Sequence, residues 1–105
     1  MKVHFYYAAL VLSLACPVTM HAQTGAATYT SKCQMCHSAD GSGSTPAGKA
    51  MKAIPFSSPD LIKASDAQLI ASTKNGKGKM PAFGAKLSDA EIKDVVAYIR
   101  TLQKK

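Results

Sequence analysis

The sequence predicts a single small all-α domain, and three observations support this fold class. Two segments carry the Ser-x-x-Gln or Ser-x-x-Glu pattern of a helix capping box, at residues 65–68 and 88–91. No segment shows the regular alternation of a half-buried strand, and 105 residues suffice for one domain. After the second box, apolar residues recur at intervals of three and four, as in an amphipathic helix, at Ile92, Val95, Val96, Ile99 and Leu102.

The first helix is expected at residues 25–36. Within it, Gly25, Tyr29 and Cys33 follow one another at intervals of four and therefore share one stripe of the helix surface. Residues 38–49 contain three glycines and a proline, which predicts an irregular loop.

The second half of the chain predicts two helices and a loop between them. A proline followed by an acid at residues 58–62 favours a short extra helical turn. The helix that starts at the first capping box is expected to stop at Asn75-Gly76. Residues 76–84 are rich in glycine and proline and predict a non-helical loop before the last helix, whose face with Lys93, Asp94 and Arg100 should lie in solvent.

One motif carries the chemistry. Residues 33–37 read Cys-Gln-Met-Cys-His, the C-x-x-C-H signature of covalently attached haem. The thiols of Cys33 and Cys36 share one face of a helical turn, where they are suited to form thioethers with two vinyl groups along one porphyrin edge. His37 follows at once and brings an imidazole to the iron. The motif therefore predicts one covalent haem c with His37 as the proximal iron ligand.

Two other kinds of site, a zinc site and a redox-active cysteine pair, are alternatives to covalent haem for this motif. A zinc site needs four ligands, but Cys36 and His37 are neighbours that splay apart, and no second Cys/His pair completes the set. A thioredoxin-like redox pair belongs beside a βαβ pattern, which this chain lacks. Covalent haem is therefore the preferred interpretation.

The N-terminal segment predicts export. An apolar run at residues 3–18 is followed by small and turn-forming residues, the layout of a secretory signal peptide. The run is too short for a confident membrane span. We expect cleavage after Ala22, giving a leader at residues 1–22 and a haem domain at residues 23–105, with lipidation at Cys16 or an uncleaved anchor as alternatives.

Removal of the leader simplifies the chemistry of the chain. Cys33 and Cys36 are then the only thiols, and His37 is the only imidazole. The remaining 83 residues offer few aromatic and aliphatic side chains for a core. Haem is therefore expected to act as the hydrophobic centre, and the haem-free chain to fold poorly.

A methionine in the predicted loop at residues 76–84 is the candidate for the second axial ligand. An iron with one imidazole takes a thioether sulfur in many electron-transferring cytochromes. Met35 lies between the two cysteines and cannot reach the opposite haem face, whereas Met51, with Ile54 and Phe56, reads as ordinary packing. Met80 is therefore the predicted distal iron ligand.

Together these motifs resemble the small monohaem class I c-type cytochromes, the soluble bacterial and photosynthetic kind, over residues 24–103. The spacing from Gly25 through Tyr29 to the C-x-x-C-H motif resembles the family's N-terminal helix. Lys-Met-Pro-Ala-Phe at residues 79–83 resembles its methionine loop, and Tyr98 the aromatic residue of its C-terminal helix.

The resemblance implies a class I cytochrome c fold: three to four short helices wrapped around one haem, with the N- and C-terminal helices crossing. Gly25 and Tyr29 would then pack against Val95, Tyr98 and Ile99. The second nitrogen of His37 is expected to bond a backbone acceptor, for which the carbonyl of Pro46 is a candidate.

The function expected from these features is that of a periplasmic one-electron carrier with His/Met ligation. No catalytic constellation is present, so the chain is not expected to be an enzyme, and no small-molecule substrate or nucleic acid is expected. Two alternatives are an electron-entry subunit of a larger oxidoreductase and an open-site haem sensor.

The expected partners are redox proteins with acidic docking surfaces, and the carrier is expected to be a monomer. The chain has 13 basic and 6 acidic residues. Lys74, Lys77 and Lys79 lead directly into Met80. Positive charge near the haem edge would steer an acidic partner to that edge.

Overall fold

The computed structural model describes residues 21–104, with side chains described from Thr24 onward. The predicted leader and Cys16 lie outside these residues. The described part of the chain contains helices and loops but no strand, and none of its helices is long and apolar enough to cross a membrane. Its helices are α1 His21–Lys32, α2 Gln34–His37, α3 Pro46–Ala50, α4 Pro59–Lys63, α5 Asp66–Asn75 and α6 Asp89–Leu102.

The first predicted helix is present but interrupted. It begins at His21, before the predicted start, and is broken at Cys33, after which the short α2 runs to His37. The backbone at Cys33 has φ −116° and ψ −34°, away from ideal helical values. The amides of Cys36 and His37 both donate to the Cys33 carbonyl, at 3.2 Å and 2.9 Å, so the turn closes again around the motif.

Both predicted capping boxes are confirmed. At the start of α5 the hydroxyl of Ser65 accepts from the Gln68 amide at 3.1 Å, and the Gln68 side chain accepts from the Ser65 amide at 2.8 Å. At the start of α6, Ser88 and Glu91 exchange the same two bonds, each at 3.1 Å. The reciprocal bonds satisfy two amides that a helix start otherwise leaves free. The predicted short turn of residues 58–62 is also confirmed as α4, and α5 ends at Asn75 as expected.

A short helix, α3, lies inside the stretch predicted to be an irregular loop. The hydroxyl of Thr45 accepts from the Gly48 amide at 2.9 Å, and Pro46 occupies the first turn, where its missing amide costs nothing. A Cβ at Gly48 would collide with the Cys36 carbonyl. The helix therefore packs its backbone directly on the C-x-x-C-H turn, an approach that only glycine allows.

The core consists of two clusters that share α6. The first contains buried residues of α1 and α6 together with Phe56, and the second contains Phe83, Leu87 and Ile92. The predicted apolar stripe of α6 is confirmed, since all of its members are buried. Of the three residues expected to make ordinary packing contacts, Phe56 is buried, whereas Met51 and Ile54 are 44% and 53% exposed, so the expectation is wrong for these two.

The crossing of the N- and C-terminal helices agrees with the expected fold. Tyr29 is buried against Val95, Ile99 and Tyr98. A Cβ at Gly25 would collide with the Asp94 carbonyl of α6, so glycine sets the distance between the two helices.

One expectation for α6 is wrong. Arg100 does not project into solvent but lies across α4 and the start of α5. Its guanidinium donates to the carbonyls of Leu61 and Ala64 and pairs with the Asp66 carboxylate at 2.9 Å. The carbonyls at the end of α4 have no partner within that helix, and a cation there satisfies them.

Candidate functional site

The interrupted junction between α1 and α2 positions the two cysteines. Both are free thiols, and the Cys36 amide donates to the Cys33 carbonyl, so the two side chains leave the same turn. Cys33 belongs to the first core cluster, whereas Cys36 is only partly buried. The two free thiols therefore lie on the same turn, and their attachment to haem remains a prediction from the sequence.

Burial keeps the Cys33 thiol neutral. Its side chain is 7% exposed, and loss of solvent, followed by repulsion from Cys36, raises the pKa of Cys33 to about 11. At neutral pH the folded chain therefore holds this sulfur as a thiol rather than a reactive thiolate.

His37 closes the motif as a half-buried, neutral imidazole. Burial lowers the pKa of His37 below its ordinary value of 6.5, which favours the form that has a free nitrogen lone pair. Its Nδ1 atom is buried and has no hydrogen-bond partner among the described residues. The expectation that the Pro46 carbonyl accepts from this nitrogen is therefore wrong in this structure. Instead the imidazole stacks on Phe56, with ring centroids 4.7 Å apart and planes 22° from parallel.

Hydrogen bonds from the following loop and from α1 fix the backbone of the motif. The Gly43 amide donates to the His37 carbonyl at 2.9 Å, and the hydroxyl of Tyr29 donates to the Ser38 carbonyl at 2.5 Å. The hydroxyl of Thr45 donates to the Met35 carbonyl at 2.6 Å. Sequence reasoning missed these supporting residues, although serine and threonine beside a glycine-rich turn are a recognisable signal for side-chain to backbone bonds.

Met80 lies in a loop closed by backbone hydrogen bonds. The amides of Lys77 and Met80 each donate to the other residue's carbonyl, at 3.2 Å and 3.0 Å. Gly76 and Gly78 have φ of 78° and 57°, in the region that glycine enters most readily. The Met80 side chain is partly buried and packs against the second core cluster.

The side chains of the two predicted ligands contact different parts of the core. His37 contacts Phe56 of the first cluster, and Met80 packs on the second. Helix α6 contributes Val95 and Ile99 to the first cluster and Ile92 to the second, so one rigid element supports both.

The lysines near Met80 are not equivalent. Lys74 pairs with Asp89 at 3.0 Å, so its charge is offset locally. Lys77 and Lys79 are exposed on the loop itself. Lys86 lies 5.8 Å from the centroid of the Phe83 ring, in cation–π geometry.

The chain matches known c-type cytochromes over most of its length. The family model described as cytochrome c oxidase, cbb3-type, subunit III, matches residues 21–99. Cytochrome c6 of Leptolyngbya boryana is 35% identical over 80 residues, which cover 74% of this chain and 88% of that protein. The cbb3-type cytochrome c oxidase subunit CcoP of Azospirillum brasilense is 32% identical over 83 residues, covering 77% of this chain but 28% of that subunit.

Solved structures agree on the fold. The c-type cytochrome KustC0563 aligns with a TM-score of 0.69 and 30% identity, covering 75% of this chain and 96% of that one. Cytochrome c6 from the diatom Phaeodactylum tricornutum aligns with a TM-score of 0.62 and 26% identity, covering 79% of this chain and 94% of that one.

The donor atoms of the site fit the covalent haem c of such proteins. Two free thiols leave one turn, a neutral imidazole follows them, and a thioether is held on the neighbouring cluster. The shared motif, the helical fold and the matched sequence length agree with one another, and the chain belongs to the small class I c-type cytochromes, a family of electron carriers with one covalent haem c.

Proposed function

We propose that this chain is an exported one-electron carrier of the periplasm. In this proposal Cys33 and Cys36 attach haem c through thioethers, and His37 and Met80 are the axial iron ligands. The observation that carries the proposal is the C-x-x-C-H turn itself, with two free thiols and a neutral imidazole on one short junction. Export is supported by the leader-like residues 1–22, because c-type haem is attached outside the cytoplasm.

The bound haem would supply reversible one-electron chemistry, taking one electron from a donor and passing it to an acceptor. The residues of the chain hold and shield this group. The buried first cluster excludes water from one side of the motif, and α3 packs on the Cys36 carbonyl through Gly48. With both axial positions filled by the protein, no site remains for a small-molecule substrate, and we do not propose an enzyme.

Met80 is proposed as the distal ligand because its loop is built to present it. Two glycines with positive φ allow the tight turn, and the paired amides of Lys77 and Met80 close it. Packing of the side chain on the second cluster then limits its freedom.

A mass and spectroscopic experiment tests this assignment. The protein is produced with a haem-attachment system, and we expect the mass of one haem to be retained after extraction with acidified organic solvent. The ferric protein should show the weak sulfur-to-iron band at the red end of the spectrum. Met80→Ala should abolish this band and admit carbon monoxide to the ferrous protein, whereas Met51→Ala, a matched change at an exposed methionine, should do neither.

Three results would overturn the proposal. Extraction of the haem would refute covalent attachment. An unchanged spectrum in Met80→Ala would refute the methionine ligand, and binding of carbon monoxide by the unmodified protein would favour the open-site sensor.

Electron exchange is proposed to occur beside the Met80 loop, with an acidic partner. Lys77 and Lys79 are exposed there, whereas Lys74 is paired with Asp89. Exposed like charges around a redox site raise the association rate of an opposite charge at low salt. The carrier is proposed to work as a monomer.

Small redox probes test this docking surface without knowledge of the partner. Charge reversal at Lys77 and Lys79 should slow oxidation by ferricyanide, an anion, and speed oxidation by a cationic cobalt complex. The matched control reverses Lys93 and Lys104, two exposed lysines on and after α6. Equal effects in the two double variants would show that only net charge matters.

A second candidate function rests on the match to subunit CcoP. This chain covers 28% of the length of that subunit. The chain would then be an electron-entry subunit of a larger oxidoreductase. Gel filtration of the protein from its native host separates the two proposals, because a carrier elutes at the size of a small domain and a subunit elutes with its complex.

A further inference from the structure

Met35 has the most exposed large hydrophobic side chain among the described residues. Its exposed fraction is 76%, against 44% for Met51, and Met80 is partly buried on the second core cluster. The other two methionines of the sequence, Met1 and Met20, fall in the predicted leader. The thioether of Met35 is therefore the one most open to reagents in solution.

The backbone around Met35 is held in place, so only its side chain is free. Met35 lies in α2, between the two cysteines of the C-x-x-C-H turn. Its carbonyl accepts from the hydroxyl of Thr45 at 2.6 Å, and the following carbonyl, of Cys36, lies against Gly48. A chemical change at the sulfur atom therefore leaves these backbone contacts intact.

The surface beside Met35 suits an oxidised sulfur. Met35 lines an open groove of about 450 Å³ together with Thr30, Gln34 and Ser44. These side chains carry hydroxyl and amide groups, which donate hydrogen bonds. Oxidation converts an apolar thioether into a polar sulfoxide, which disrupts packing when it occurs in a core. In this groove the sulfoxide oxygen has donors and water around it, so the product is compatible with the native fold.

The other sulfur atoms of the haem-loaded protein are less available to an oxidant. Cys33 and Cys36 are thioethers to haem in the proposed function, and the inference rests on that function in this respect. Met80 is partly buried, and in the same proposal its sulfur is bound to iron. Oxidation by peroxide requires an accessible, electron-rich sulfur, and ligation withdraws electron density from Met80.

We propose that Met35 is a reversible oxidation site, with hydrogen peroxide as the oxidant. The thioether sulfur attacks one oxygen of the peroxide, the O–O bond breaks and an S–O bond forms. Sulfur loses two electrons, and the second oxygen leaves as water with the two protons of the peroxide. A methionine sulfoxide reductase restores the thioether with two electrons from a dithiol and releases the oxygen as water. The surface at the turn that carries the haem thus changes between apolar and polar.

The test is peptide mapping by mass spectrometry of the ferric, haem-loaded protein during exposure to hydrogen peroxide. The sulfoxide of Met35 should form about twofold faster than that of Met51, following the ratio of their exposed fractions, and well before any change at Met80. The weak sulfur-to-iron band should persist while Met35 is converted. The two classes of methionine sulfoxide reductase, supplied together with a dithiol, should return the Met35 peptide to its original mass.

Two leucine variants are matched controls. Met35→Leu should abolish the first gain of one oxygen in the mass of the protein, whereas Met51→Leu should leave it unchanged. Oxidation of Met51 or Met80 at a rate equal to or above that of Met35 would overturn the inference. Loss of the sulfur-to-iron band in step with the conversion of Met35, or a Met35 sulfoxide that the reductases do not repair, would overturn it as well.

The outcomes separate this inference from the proposed function. If the sulfur-to-iron band is absent before peroxide is added, the proposed ligation by Met80 is wrong, and the order of oxidation of Met35 and Met51 still decides the inference. If the band is present but Met35 is not oxidised first, the ligation stands and only the oxidation site is refuted.

Discussion

Replacement of Arg100 by methionine should destabilise the protein by about 2 to 3 kcal/mol, because this side chain caps one helix from another. The guanidinium donates to the carbonyls of Leu61 and Ala64 at the end of α4 and pairs with Asp66 at the start of α5. Its side chain is 23% exposed, so these bonds are partly shielded from water.

The size of the expected stability loss follows from the groups that Arg100 contacts. Each backbone carbonyl that loses a charged donor costs about 1 kcal/mol when the site is half shielded. The pair with Asp66 adds less than about 1 kcal/mol, because that carboxylate is 71% exposed. For a domain of this size each 1 kcal/mol lowers the melting temperature by about 4–8 °C.

The assay is guanidinium unfolding of the haem-loaded protein, followed by helical circular dichroism and haem absorbance together. Asp66→Ala should lose only the smaller share of this stability, which comes from the exposed ion pair with Arg100. Lys93→Met is the matched control, since it removes an exposed cation from the same helix and should change stability by about 0.5 kcal/mol or less. Equal losses in Arg100→Met and Lys93→Met would refute the capping role.

Two further predictions concern α1. Gly25→Ala should destabilise the protein by about 1–2 kcal/mol in the same assay, because the collision of the new Cβ with the Asp94 carbonyl outweighs the helix propensity gained; a gain in stability would contradict the close helix crossing. Burial, together with weaker repulsion from Cys33, raises the pKa of Tyr29 above its ordinary value of 10.0, so its phenol stays protonated in the fold while the unfolded chain ionises it. The stability from this group is complete below pH 10.0 and is lost as the pH rises above that value. Tyr29→Phe should therefore flatten the alkaline fall in unfolding free energy, and an unchanged slope would refute the assignment.

Local signals in the sequence predicted most of the fold. Both capping boxes and the α6 stripe depend on residues within one or two turns of each other, and these are present as expected. The C-x-x-C-H motif is equally local. The covalent haem c of the family could therefore be predicted from the sequence alone.

The errors concern contacts between distant segments. Helix periodicity predicts that Arg100 faces solvent, yet its partners at Leu61, Ala64 and Asp66 lie more than thirty residues away in the chain. The helix α3 is too short for a periodic signal and depends on Thr45 as its cap and on Gly48 against the Cys36 carbonyl. The stacking of Phe56 on His37 likewise joins two separate segments. No rule of sequence spacing predicts that these segments lie together.

The loop that carries Met80 is closed on itself between Lys77 and Met80 and is tied to α5 at its base. The amides of Phe83 and Gly84 donate to the carbonyls of Thr73 and Lys74, both at 3.0 Å, and so anchor the far end of the loop to the last turn of α5. Residues between these anchors are able to open without melting α5 or α6. Their amides should exchange with deuterium by a local opening of lower free energy than global unfolding. Because the anchors keep both ends of the loop together, the methionine returns to its place by closing a short loop rather than by refolding the domain.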